Sequence, residues 1–159
     1  MNNITVGIGD LKVARAPDVL ITYALGSCVG ICLLDSVAKV GGLSHILLPD
    51  STASTSGAST PMKFANSAIP LLIHQMELMG ASRLRMKAKI AGGATMFTVA
   101  SDKFNIGDRN VTMVKKTLAQ LHIPIIAEDT GLNYGRTQLF YVDTGVMEIR
   151  AATKGIKMF

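Results

Sequence analysis

The amino-acid sequence predicts a single α+β domain over residues 1–159, an α/β sandwich with two main helices packed on largely antiparallel or mixed sheet. Three observations lead there. Of the 159 residues, 48% are hydrophobic and 17% charged, which suits strands buried on both faces and excludes a disordered chain. Short apolar runs recur between Gly, Pro and Asp turns, while only two stretches carry the period of a helix. The length is that of one domain around one core, and no repeat or linker divides it.

Ile4 to Asp10 reads as a short strand ending in a glycine turn; Gly7-Ile8-Gly9 lacks the third glycine of a dinucleotide fingerprint. Val19 to Ala24 is a β-rich strand leading into a Gly26-Ser27-Cys28 turn, and two strands joined by Asp35 to Lys39 follow. The Ser/Thr/Gly-rich stretch 51–60 is a surface loop, either a mobile connector or one wall or lid of a site near His45. Pro61 to Met79 is helical, with Ala65, Ala68, Ile69, Leu72, Met76 and Met79 on one stripe and Gly80 as its stop. Pro70 inside it implies a kink or a restart, and His74 falls off the stripe, toward water.

Arg83 to Ile90 alternates apolar with basic, a strand with one wet, positive face. A solvated edge that resists aggregation and a docking surface for an acidic partner are both open readings. Ala91 to Phe97 lacks the Gly-Lys-Ser/Thr ending of a phosphate loop; Gly92 and Gly93 instead permit close backbone approach beside a site. Asn110 is a fitting cap for a helix from Val111 to Leu121, with His122 favourably placed at its C-terminal dipole. Ile123 to Ala127 is a buried strand, and 137–142 with 146–150 form a closing hairpin.

Several function classes fall away. No apolar run approaches the 18 or so residues of a membrane span, so no membrane insertion is expected. The start carries no signal peptide, so a cytoplasmic protein is expected; a monomer is expected as well. A net charge of +5 suits acidic partners, but with 5% aromatics and no Trp no nucleic acid is expected. Cys28 and Cys32 on one strand would lie about 13 Å apart, beyond a disulfide's reach, and no zinc ligand set accompanies them. They are read as reduced thiols.

The chemistry centres on Cys28 and His45. A turn with Ser36 and Val37 at its centre would bring the two residues directly opposite each other in a hairpin, on one face. Alone, each is most simply a core residue; together they form the pair by which a cysteine nucleophile is activated. Such a neighbour would draw the thiol pKa below its ordinary value of about 8.5. Gly26 and Ser27 leave room for substrate beside the thiol, and their backbone N–H groups suit an oxyanion. Cys32 reads as core. A third group should orient the imidazole, and spacing does not choose among Thr22, Ser27, Ser44 and Asp50.

At these residues the chain resembles the chemotaxis chemoreceptor glutamine deamidase family, CheD. The matching segments are Leu25 to Val29, Ala38 to Asp50, Lys89 to Phe97, Asn105 to Asn110, and Ala127 to Asn133 with Gly135-Arg136. The resemblance implies Cys28 as nucleophile, His45 as its base and Thr22 as the residue that orients the ring, with Gly26, Ser27 and Ser44 expected at the substrate. It also implies hydrolysis of glutamine side chains on chemoreceptor cytoplasmic helices, a possible receptor methylesterase activity, and no metal or cofactor. Binding to a CheC-type response-regulator phosphatase is implied as well, and the fold expected is that of cysteine-dependent deamidating toxins. The competing reading is a non-catalytic adaptor for receptor or phosphatase.

Overall fold

The structure is a computed structural model that describes residues 1–96 and 105–159; Phe97, the last residue of the Ala91 to Phe97 stretch, lies outside them. Ten strands and two helices are present among the described residues: β1 (Asn3–Thr5), β2 (Leu11–Arg15), β3 (Val19–Leu25), β4 (Val29–Asp35), β5 (Val40–Ile46), α1 (Ala65–Leu78), β6 (Lys87–Gly92), α2 (Ile106–Gln120), β7 (Ile125–Thr130), β8 (Arg136–Tyr141), β9 (Met147–Ala151) and β10 (Gly155–Met158). They form two mixed five-stranded sheets, ordered β1-β3-β8-β9-β10 and β2-β5-β4-β6-β7. Only β1–β3 and β6–β7 pair in parallel. None of the described helices is long and apolar enough to cross a membrane.

Period-two alternation in β4 and β5 sorts the layers. Val29, Ile31 and Leu33 join Ile69, Leu72 and Met76 of α1 and Val114 and Leu118 of α2 in the larger core, so both helices cover one face of the second sheet. Cys28, Cys32 and Leu43 project the other way and pack with Leu20, Leu25, Phe140 and Met147 between the sheets. The order is therefore sheet, sheet, helices. Two glycines of β5 report the same division. A Cβ on Gly42 would strike Leu72, whereas one on Gly41 would meet Phe140 and Val142.

The β4–β5 hairpin is present, but its register differs from the sequence expectation by two residues: His45 faces Gly30, not Cys28. The reason lies at the turn. The Asp35 carboxylate accepts the N–H groups of Val37 and Ala38, and Lys39 takes φ 58°, so the turn occupies 36–39 and Asp35 pairs with Val40. An even shift leaves every side chain on its expected face. Cys28 thus becomes a diagonal neighbour of His45, the class whose Cα atoms stand roughly 7–8 Å apart and whose longer side chains reach each other.

Helix α1 runs through Pro70 without a restart, because the proline sits in its second turn facing solvent. The expected strand at Arg83 begins only at Lys87; Arg83–Arg85 is a 3₁₀ turn that leaves Leu84 at 93% exposure. The fully buried Asp35 draws this segment in, accepting the Ser82 N–H at 2.8 Å and the Arg85 guanidinium at 2.8–3.0 Å. Nor is β6 an edge, since it lies between β4 and β7. Its Lys89 ammonium donates to the Gly145 and Phe159 carbonyls, so much of the basic face is structural.

Helix α2 starts earlier than the stripe suggested. Asn105 is its cap, accepting the Asp108 N–H at 3.2 Å, and Asn110 is buried inside the helix. Gly107 reads as a breaker in sequence but is a close-contact position, where a Cβ would strike the carbonyls of Gly93 and Ala94. Strands β2 and β10 were not foreseen. The 51–60 loop is fastened by its own polar groups: Asp50 accepts from Thr52 and Asn66, and Ser59 and Thr60 donate to the Ser56 carbonyl.

Candidate active site

Four polar side chains enter the space between the sheets at one end of the hairpin. On one sheet Thr22 of β3 pairs with Gln138 of β8; on the other His45 of β5 pairs with Gly30 of β4. The two pairs face each other. Thr22, His45 and Gln138 are all fully buried, while Cys28, just before β4, is half-buried and reachable from solvent.

The hydrogen bonds determine the histidine tautomer. Thr22 Oγ1 donates its one proton to the Val6 carbonyl at 2.7 Å, an atom that only accepts. Its contact with His45 Nδ1, also 2.7 Å, must then run from Nδ1–H to Oγ1. A neutral His45 therefore carries its free lone pair on Nε2, and Nε2 has no partner among the described residues. A buried unpartnered nitrogen costs about 1–3 kcal/mol, so its survival calls for a use. Burial without a countercharge lowers the His45 pKa from 6.5 to about 4.

Cys28 moves opposite to the sequence expectation. Burial raises its thiol pKa, offset only in part by its own backbone N–H beside the sulfur. The resting pair is a thiol and a neutral imidazole, not a thiolate and an imidazolium. In that pairing the unpartnered His45 Nε2 is able to accept a proton, the arrangement general-base chemistry uses. Cys32 is fully buried, and burial raises its thiol far outside the range of chemistry. Both cysteines are free thiols.

The turn carrying Cys28 is held from one side. Gly26 C=O accepts from Ala94 N–H and Cys28 C=O from Gly93 N–H, both at 2.8 Å, and Ser27 C=O accepts from Asn110 Nδ2 at 2.9 Å. Antiparallel pairing would return a bond from Cys28 N–H to Gly93 C=O. That bond is absent among the described residues, because Gly93 at φ +67° turns its carbonyl toward Gly107 of α2. The Ser27 and Cys28 N–H groups likewise have no acceptor among the described residues. A Cβ on Gly92 would collide with the Cys28 carbonyl, which accounts for the paired glycines.

Of the residues singled out in sequence, Cys28, His45 and Thr22 converge, and Gly26 and Ser27 form the turn beside them. Ser44 does not. It alternates with His45 on β5 and faces the helix layer with Gly42 and Ile46, on the opposite face from Cys28 and the space between the sheets. Asp50 immediately precedes the 51–60 loop and is occupied with Thr52 and Asn66. Sequence reasoning missed two residues. Gln138 fills the space above Gly30, where a Cβ would strike its carboxamide, and donates toward Gly30 C=O and Cys32 Sγ. Its only signal was an amide at an inward position of an apolar strand. Asn110 was read as a cap, and nothing local distinguished the two asparagines of the segment.

Comparison with known proteins gives a consistent result. The family model "CheD chemotactic sensory transduction" matches residues 47–151. A Clostridium novyi protein named "Probable chemoreceptor glutamine deamidase CheD" is 54% identical over 159 residues, covering 98% of this chain and 97% of its own. A Clostridium botulinum protein of the same name is 50% identical over 160 residues, covering 99% and 98%. Among solved structures, a Neisseria meningitidis protein of the DUF152 family aligns with TM-score 0.53 and 10% identity over 83% of this chain and 64% of that one, a likeness of fold alone.

Proposed function

The chain belongs to the CheD family, and from that premise we propose that it is a protein-glutamine glutaminase that deamidates selected glutamines of chemoreceptors by a Cys28–His45–Thr22 thiol mechanism. The observation that carries this reading is the orphaned, buried Nε2 of a histidine whose other nitrogen is held by Thr22.

His45 Nε2 takes the Cys28 proton as the sulfur attacks the glutamine δ-carbon, and the carbonyl π pair moves onto oxygen. The free N–H groups of the Ser27–Cys28 turn receive that oxyanion. Collapse breaks the C–N bond, and Nε2–H protonates the nitrogen, which leaves as ammonia. Water then attacks the thioester carbon and passes a proton to Nε2. The C–S bond breaks, Cys28 regains its proton and the product is glutamate. A thioester forms equally well from an ester, with methanol leaving, which supports receptor methylesterase activity at the same site.

The further expectation, regulation of a CheC-type phosphatase by binding, with phosphatase and receptor competing for this protein, rests on the family resemblance, and a cytoplasmic monomer is expected besides. Addition of that phosphatase should then inhibit receptor deamidation competitively. The central test is ammonia release, with amide-to-acid conversion read by mass spectrometry, on a glutamine-bearing receptor fragment. Wild type should turn over and Cys28→Ala should be folded and inert; undiminished turnover in Cys28→Ala would sink the scheme.

A further inference from the structure

We propose that Asn110 is a positioning residue that builds the oxyanion-binding site, by fixing the peptide unit between Ser27 and Cys28. The inference deepens the deamidase reading and rests on it.

A trans peptide is rigid and planar, with its C=O and N–H pointing in opposite directions. Whatever grips the Ser27 carbonyl therefore aims the Cys28 N–H. The usual grip would be the sheet ladder, but Gly93 has turned its carbonyl toward Gly107 and leaves Cys28 N–H without a backbone acceptor among the described residues. The orientation of this peptide then depends on Asn110 Nδ2 at 2.9 Å from Ser27 O. The adjoining unit is treated in the same way, Ala94 N–H on Gly26 C=O aiming Ser27 N–H. Two neighbouring N–H groups result, and that of Cys28 lies beside the attacking sulfur.

Asn110 has a second grip. Its other Nδ2 proton goes to the Leu47 carbonyl, also at 2.9 Å, two residues beyond His45. One carboxamide thus ties the residue before the nucleophile to the strand end that carries the base. Both donors are used on carbonyls while Oδ1 is left buried without a partner among the described residues. A side chain present only to fill space would be apolar here. Asparagine is required because it supplies two donors from one short planar group.

The test separates oxyanion binding from thiol chemistry. Asn110→Ala and the near-isosteric Asn110→Asp would be compared with wild type in three assays. These are turnover on the receptor fragment, affinity for a peptide aldehyde analogue of glutamine that forms a hemithioacetal, and the pH profile of Cys28 alkylation by iodoacetamide. Loss of one oxyanion donor should lower kcat about 10²–10³-fold with KM little changed. Aldehyde affinity should fall by a similar factor, while the limiting alkylation rate of the ionised thiolate at high pH, which needs no oxyanion, should keep the wild-type value; the profile's midpoint should move up only as far as the Cys28 N–H contact with the sulfur is lost. Wild-type turnover in both variants would overturn the proposal, as would an alkylation loss parallel to the loss of turnover.

If neither variant folds, the ¹⁵N-labelled wild type decides. The Cys28 amide resonance should shift strongly and gain protection from solvent exchange on aldehyde binding; an unmoved amide rejects the proposal. Failure of the deamidase reading looks different, because wild type itself would then release no ammonia.

Discussion

The two ends of the β4–β5 hairpin treat buried polar groups in opposite ways. At the turn end, the Asp35 carboxylate is fully buried yet saturated, accepting from the N–H groups of Val37, Ala38 and Ser82 and from Arg85. Burial alone would raise its pKa, but Arg85 and the three backbone donors outweigh that and hold it far below the usual carboxylate range. At the open end, His45 Nε2, Asn110 Oδ1 and Gln138 Oε1 are buried without partners among the described residues. There burial dominates, unopposed at the His45 imidazole and offset only in part at the Cys28 thiol, and both are pushed toward neutrality. A satisfied buried charge organises the chain around it; unsatisfied groups gathered at one end of a cleft are kept for a reactant.

Acid should sharpen this contrast most. The His45 pKa is depressed from 6.5 to about 4, so neutral His45 is favoured in the fold. Its contribution is intact above pH 6.5, is lost progressively as pH falls from 6.5 to 4, and is gone below. The full loss is about 3 kcal/mol, at about 1.4 kcal/mol per pKa unit. Chemical denaturation across that window should show this loss in wild type and not in His45→Gln. The acid limb of kcat/KM should also lie well below 6.5; a limb at 6.5 would mean an ordinary, solvated imidazole.

Thr22→Val comes next. It keeps the shape but leaves Nδ1–H and the Val6 carbonyl unpaired and frees the imidazole to rotate or change tautomer. Turnover should fall roughly 10²-fold. Thr22→Ser, which restores the hydroxyl, should recover most of it, and equal activity of the Val and Ser variants would remove Thr22 from the mechanism.

The smallest effect belongs to the other end. Asp35→Asn turns an amide donor toward Arg85 or toward a backbone N–H, and stability should fall by about 1–3 kcal/mol. Turnover per folded molecule should not change, because Cys28, His45 and Thr22 lie at the opposite end of the hairpin. A drop in turnover at equal folded fraction would show that the two ends are coupled.

Much of this was readable from the chain. The apolar runs of β3, β4 and β5, the stripe of α1 and the closing hairpin of β8 and β9 all appear where pattern placed them. Strands β2 and β10 did not announce themselves, since Leu11-Lys12-Val13-Ala14-Arg15 and Gly155-Ile156-Lys157-Met158 are short and half polar. Each is a strand because a formed sheet offers it an edge. The basic alternation of 83–89 misled because Arg85 has a buried partner fifty residues away.

By itself the sequence determined faces. Alternation of two residues along β4 and β5 put Cys28 and His45 on one side of the hairpin, and a two-residue error in register left that conclusion standing. What the sequence could not determine was what that side would meet. Thr22 reaches His45 from the other sheet, and Asn110 reaches Ser27 from a helix, across separations of 23 and 83 residues. Local pattern reflects a segment's own burial and period, whereas these hydrogen bonds exist only once two sheets and a helix have packed. Cys28 and His45 were legible in the chain as a candidate pair; the histidine tautomer, the protonation of both groups and the orientation of the peptide before Cys28 were decided by the tertiary structure.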